Sequence, residues 1–163
     1  MLTVVGAAVI VAYGVLGALL MTRWELAAGS GLPPEETIAR IEAAGESFSE
    51  APGVFFAGMG VLAALAWAAA TLAPATRGSG LGSLAAWGVI VALGAPSYFF
   101  WSFPNMMSVG DTFDRWHPDA AFALVSPLYV VSGIGALIVM AAVVVGAIRS
   151  APRRVRAVTS SSS

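Results

Sequence analysis

The sequence predicts an all-α integral membrane protein, a four-helix bundle with two outer loops of which the first contains a short helix. Two observations carry this reading. All nine acidic residues fall within positions 25–50 and 111–119, whereas four apolar runs, 2–21, 54–73, 81–103 and 120–148, contain no charged residue. At a rise of about 1.5 Å per residue, about 20 residues cross a hydrocarbon core roughly 30 Å thick, and each run is long enough. Composition agrees: 58% of residues are hydrophobic and 10% charged. The apolar residues run continuously instead of forming the single stripe of a soluble amphipathic helix.

The first span, 2–21, starts without a basic stretch and exceeds the apolar length of a cleavable signal, so it reads as a retained helix. Gly14 and Ala18 lie four residues apart, a spacing that lets helix backbones approach in lipid, where hydrophobicity does not drive association. Glycines and alanines in the second and fourth spans repeat the argument. The third and fourth spans each contain a proline, Pro96 and Pro127, which frees the carbonyl four residues earlier, that of Ala92 or Ala123. Both helices are therefore expected to bend in their outer halves. Around the two bends gather Ser97, Tyr98, Trp101, Ser102, Asn105, Ser126 and Tyr129. Tyr98, Trp101, Ser126 and Tyr129 are the candidate lining of a small cavity for a lipid-like or aromatic ligand. The alternative is an interfacial aromatic belt, with serines satisfying the freed carbonyls.

Topology follows from arginine, since the chain has no lysine. Arg77, Arg149, Arg153, Arg154 and Arg156 mark the cytoplasmic side, and Arg23, Arg40 and Arg115 share the outer side with every carboxylate. The expected product is a multi-pass protein of the cell membrane with both termini in the cytoplasm. Residues 1–149 form one four-span domain, and 150–163 a disordered basic tail suited to anionic headgroups. Membrane lipid is the first expected partner, followed by a protein partner or a second copy of the chain. Nothing beyond the tail arginines suggests nucleic-acid binding.

In the first outer loop, Pro33-Pro34 starts a short helix, Glu35 and Glu36 suit the positive end of its dipole, and Gly45 stops it. Glu36 and Arg40 are spaced to pair on one face, and Ile38 and Ile41 form an apolar edge that rests on the bundle or the lipid. The second outer loop, 104–119, concentrates the groups capable of chemistry. Asn105, Asp111, Asp114 and His117 are the candidate catalytic residues, converging over the Pro96/Pro127 cavity if the chain is an enzyme. The capping alternative makes Asp111 a helix N-cap, Pro118 the first residue of the fourth helix and Asp119 the complement of its dipole. The absence of cysteine and the single His117 exclude disulfides, thiolate metal sites, covalent haem and a bis-histidine haem. The Asp/His spacing matches no specific metal signature, so neither metal nor cofactor is expected.

Three segments, Leu32-Pro33-Pro34-Glu35-Glu36 with the helix after it, Ser102-Phe103-Pro104-Asn105, and Arg115-Trp116-His117, resemble those of the anthrone-oxygenase-like family of small bacterial and fungal membrane proteins. Similar positions there read as a Leu-Pro-Pro turn, an Asn-Val-Pro-type segment and a Trp-Asn/His segment followed by an arginine. The resemblance implies a four-helix fold and, as in some members, oxygenation of polycyclic aromatic substrates. The later arginine has no counterpart here, since 122–129 is uncharged.

Two function classes lead. An accessory or structural membrane subunit needs only packing surfaces and specific loops, both present. A membrane enzyme of oxygenase-like type would act on an apolar or aromatic substrate at the outer ends of spans three and four. A channel or transporter ranks third, because the charge-free spans offer no ionisable group to a pathway.

Overall fold

The computed structural model describes residues 1–73 and 80–160, with side chains described through Ser150. The connection carrying Arg77, and the side chains of Arg153, Arg154 and Arg156, lie outside the described residues. The chain is all-helical there: α1 (Leu2–Leu19), a π-helical turn (Leu20–Trp24), α2 (Glu25–Ser30), α3 (Pro34–Ala43), α4 (Ala51–Leu72), α5 (Gly80–Ala92), α6 (Gly94–Thr112) and α7 (Pro118–Ser160). Four stretches are long and apolar enough to cross a membrane: Leu2–Ser30, Ala51–Leu72, Gly80–Thr112 and Pro118–Ser150. The chain is a multi-pass membrane protein built as a four-helix bundle.

Its surface is apolar, unlike that of a soluble fold, and several polar side chains are buried among the apolar residues of the core. Val54, Phe55, Leu62 and Leu65 on α4, and Val130, Leu137 and Val143 on α7, are exposed, whereas Thr22, Glu25, Ser102, Asn105, Ser108 and Ser132 are buried. An apolar exterior costs nothing in lipid, and polar groups must find partners inside.

Small residues set the helix contacts. Along the α1–α4 seam a Cβ placed on Gly14 would lie 3.3 Å from the Gly60 Cα, and one on Gly53 would lie 3.2 Å from the Ala18 carbonyl oxygen. The expected role of Gly14 and Ala18 in backbone approach is therefore met within the chain. Between α5 and α7 the approach is closer still: a Cβ on Gly135 would lie 2.8 Å from the Gly88 carbonyl oxygen. These contacts substitute dispersion for the hydrophobic effect that lipid removes.

Pro96 produces the expected interruption. α5 ends at Ala92 and α6 begins at Gly94, with Leu93 between them. Ser132 of α7 fills the gap, donating to the Val91 carbonyl at 2.8 Å and accepting from the Ala95 N–H at 2.9 Å, while the Tyr13 hydroxyl lies 2.9 Å from its Oγ. One side chain thus satisfies backbone groups on both sides of the break. Pro127 breaks nothing, because α7 runs through it and Ser126 Oγ donates to the freed Ala123 carbonyl at 2.8 Å. The expected loosening of the fourth helix is replaced by a local hydroxyl bond.

Three boundaries differ from the sequence reading. The first helix passes beyond 21 to Ser30, the third passes through Pro104 to Thr112, and the helix of α7 continues to Ser160 where a disordered tail is expected. Charged and polar residues alone set the expected limits, but helical backbone extends past the hydrocarbon when neighbouring elements cover it. For the first and third helices α3 supplies the cover. Ile41 of α3, Leu26 of α2 and Val109 of α6 are completely buried against one another, with Ile38 packed beside them. α3 stops as its sequence demands: Gly45, at φ +83°, donates to the Glu42 carbonyl, and the Glu46 N–H reaches Ile41 at 3.1 Å, a Schellman closure. The Arg40–Glu36 pair forms at 2.7 Å on its exposed face.

Candidate functional site

A change of helical phase creates the site. On α1 the buried positions are Ile10, Tyr13, Gly14 and Gly17, and Met21 follows in the same phase. Continued at 3.6 residues per turn, the series would next centre on position 24 and leave 25 at the edge of the buried face. The π-turn inserts one residue into that progression: the Glu25 N–H bonds the Leu20 carbonyl, five residues back. Each added residue rotates the downstream face by about 100°. Beyond the turn the buried set is therefore Glu25, Leu26 and Gly29, while Trp24 is turned outward and 44% exposed.

Glu25, only 7% exposed, is in this way brought inside the first membrane-crossing stretch. The Tyr98 hydroxyl of α6, itself 1% exposed, donates to Glu25 Oε2. Among the described residues no arginine reaches this carboxylate: Arg23 pairs with Glu50 at 2.7 Å and with Glu35 at 3.6 Å, and Arg40 pairs with Glu36. Glu25 Oε1 has no hydrogen-bond partner among the described residues, yet it is not fully enclosed, and Glu25 lines a cavity.

That cavity has a volume of about 520 Å³ and lies between α6 and α7. From α6 it takes Phe99, Ser102, Phe103, Met106, Met107 and Gly110, which recur at three- and four-residue spacing and so share one helix face. From α7 it takes Pro118, Ala121, Phe122, Val125 and Tyr129 by the same rule, with Trp116 and Asp111 at one end. Ser102, Ala121 and Val125 are buried, whereas Phe99, Phe103, Met107 and Phe122 are at least 48% exposed. The cavity therefore has a closed floor at Glu25 and opens sideways on an exposed apolar surface. Its size falls within the usual range for small-molecule sites, and one polar group set in an apolar wall orients an occupant.

The residues singled out from sequence are divided among several places. Tyr129 and Asp111 line the cavity, and Tyr98 stands behind it holding Glu25. Trp101 points elsewhere, stacking on Phe55 with ring centroids 5.4 Å apart and lining a second, apolar cavity of about 360 Å³ against α4. Ser126 lines neither cavity, its hydroxyl being committed to Ala123. Asn105 is 2% exposed and acts as a clamp, its amide donating to the Ser49 carbonyl at 2.9 Å and its Oδ1 accepting from the Ser49 N–H at 3.2 Å. It holds the start of α4 against α6.

Convergence of Asn105, Asp111, Asp114 and His117 over one cavity is not what the fold produces. Asp111 lies in the last turn of α6, so it is not the N-cap of a following helix, because α6 continues through Pro104. Asp114 and His117 are exposed and outside the cavity lining. The His117 backbone N–H donates to the Gly29 carbonyl at 2.7 Å, tying the segment before α7 to the end of α2. Pro118 begins α7 with Asp119 in its first turn, as capping chemistry requires. Among the described residues no group of three or more His, Asp or Glu side chains is placed to hold a metal.

Glu25 is the residue that sequence reasoning missed, having been assigned to the outer acidic loop. The available signal was the apolar phase, since Leu26 and Gly29 continue the buried face only after a one-residue shift. No family model, curated protein or solved structure matches the chain.

Proposed function

We propose that this membrane protein binds an apolar or aromatic small molecule drawn sideways from the bilayer into the α6–α7 cavity, with its polar end at Glu25. One observation carries the reading: a buried carboxylate within a helical stretch long and apolar enough to cross a membrane stands at the floor of an apolar cavity that opens on the exposed apolar surface of the bundle. Ionisable groups in membrane helices are costly and, where they occur, serve function. The small-residue surfaces that favour an accessory subunit are largely used within the chain, Gly14 against Gly60 and Gly88 against Gly135. Oxygenation of an aromatic substrate, implied by the family resemblance, would use this same cavity, although Asp114 and His117 stand outside its lining.

The test is native mass spectrometry of protein purified in lipid nanodiscs. Wild type is expected to retain a small apolar molecule that Val125→Phe, which fills the cavity from α7, no longer carries. Identical spectra showing only bulk lipid in both would defeat the reading and return the subunit role to first place.

A further inference from the structure

Building on the ligand-binding reading above, we infer that the ligand is a lipophilic cation, an amine or ammonium carried on an apolar or aromatic body. The cavity lining contains two carboxylates, Glu25 at the floor and Asp111 at one end, and no arginine or histidine. Each described arginine that forms an ion pair does so on the exposed face at that end of the bundle. An intramembrane carboxylate ordinarily meets a cation or a set of donors. Glu25 has the Tyr98 hydroxyl on one oxygen and nothing from the protein on the other. An ammonium group in the cavity supplies the missing charge to Oε1.

The walls fit the same chemistry. Phe99, Phe103, Trp116, Phe122 and Tyr129 present aromatic rings around the cavity, and ring faces attract cations most strongly where water is excluded. The same walls and carboxylates disfavour an anionic amphiphile, because a fatty acid would set like charge against Glu25 with no basic residue in the lining to offset it. A neutral aromatic would fill the volume and leave the second Glu25 oxygen without a partner.

Three naphthalene probes of nearly equal size separate these cases: 2-naphthylmethyl-trimethylammonium, its uncharged carbon isostere 2-neopentylnaphthalene, and 2-naphthylacetate. Equilibrium dialysis against protein-containing and empty nanodiscs measures each. The ammonium is expected to bind at least about tenfold more tightly than the neopentyl isostere, and the acetate to show no binding above empty discs. In Glu25→Gln the ammonium should fall to the level of the isostere, whose own affinity stays the same. Equal affinity of ammonium and isostere for wild type would overturn the cation assignment and leave the apolar cavity standing. Failure of all three probes to bind would overturn the cavity reading as well. Because the comparison among probes on wild type is decisive by itself, a Glu25→Gln protein that does not fold leaves the test intact.

Discussion

The Tyr98 hydroxyl donates to Glu25 Oε2 in the interior of the bundle, joining α6 to the helical extension of α1. Both side chains are buried, and the Tyr98 hydroxyl is the hydrogen-bond partner of Glu25 Oε2 among the described residues. Tyr98→Phe removes the donor and keeps the ring. Leaving a buried acceptor unsatisfied costs about 1–3 kcal/mol, so thermal unfolding in detergent should shift down measurably. A wild-type melting temperature in Tyr98→Phe would mean that Glu25 is already satisfied by something else.

The π-turn can be tested by shortening it. Deleting Thr22 removes the extra residue in Leu20–Trp24, so Glu25 moves up one position in a continuous α-helix and keeps the inward phase that the turn gives it. The deletion should leave position 25 inside: a Glu25→Cys thiol, protected with the turn intact, stays protected when Thr22 is absent. A reactive thiol in the deleted chain would show that the turn does not absorb one extra residue.

How much of this was legible follows from which residues carry it. The spans were visible because charge cannot be hidden in lipid, and the break at Leu93 was visible because Pro96 lacks an N–H. The start of α3 at Pro34 and its stop at Gly45 were equally open to local reading. Glu25 was not, because Arg23 beside it looks like the end of a span, whereas the structure keeps Arg23 in a surface pair with Glu50 and turns Glu25 inward. A one-residue phase change leaves composition untouched. The partners of Ser132 and Asn105 were hidden for another reason: they lie 37 or more positions away in sequence, on elements that only tertiary packing brings together.

Gly14 and Gly58 differ in surroundings and should differ in tolerance. A side chain at Gly14 meets the Gly60 backbone, while a Cβ at Gly58 meets nothing within 4 Å. Gly14→Leu is expected to destabilise by about 1–3 kcal/mol or more through forced separation of α1 and α4, and Gly58→Leu to be neutral or stabilising, since it faces open space and removes a helix glycine. Paired thermal melts decide the matter, and equal effects would remove Gly14 from the seam.

Asn105 and the pair Asp114 and His117 make a second contrast. Asn105→Ala strips three backbone contacts, to both polar groups of Ser49 and to the Met21 carbonyl at 3.4 Å. A loss of about 1–3 kcal/mol should result. Asp114→Asn and His117→Ala change exposed side chains outside the cavity, and surface changes of this kind usually stay within about 0.5 kcal/mol. Ligand binding should survive both. Abolition of binding by either in a folded protein would restore the sequence-based site and displace Glu25 from its centre.

The remaining prediction concerns orientation. In sequence, all nine carboxylates fall with Arg23, Arg40 and Arg115 between the first and second or the third and fourth apolar runs, whereas the remaining arginines lie between the second and third runs or after the fourth. Positive residues in short loops are retained in the cytoplasm, and acidic residues contribute little to that choice. The carboxylate-rich end is therefore expected outside, and the C-terminus inside. Single cysteines at Ser47, which is exposed beyond α3, and at Ser160 provide the readout in a chain with no cysteine of its own. An impermeant thiol reagent should label Ser47→Cys in intact cells, and Ser160→Cys only after the membrane is opened. The reverse pattern would place the mouth of the Glu25 cavity near the cytoplasmic interface, so that lipophilic cations would enter from the inner leaflet.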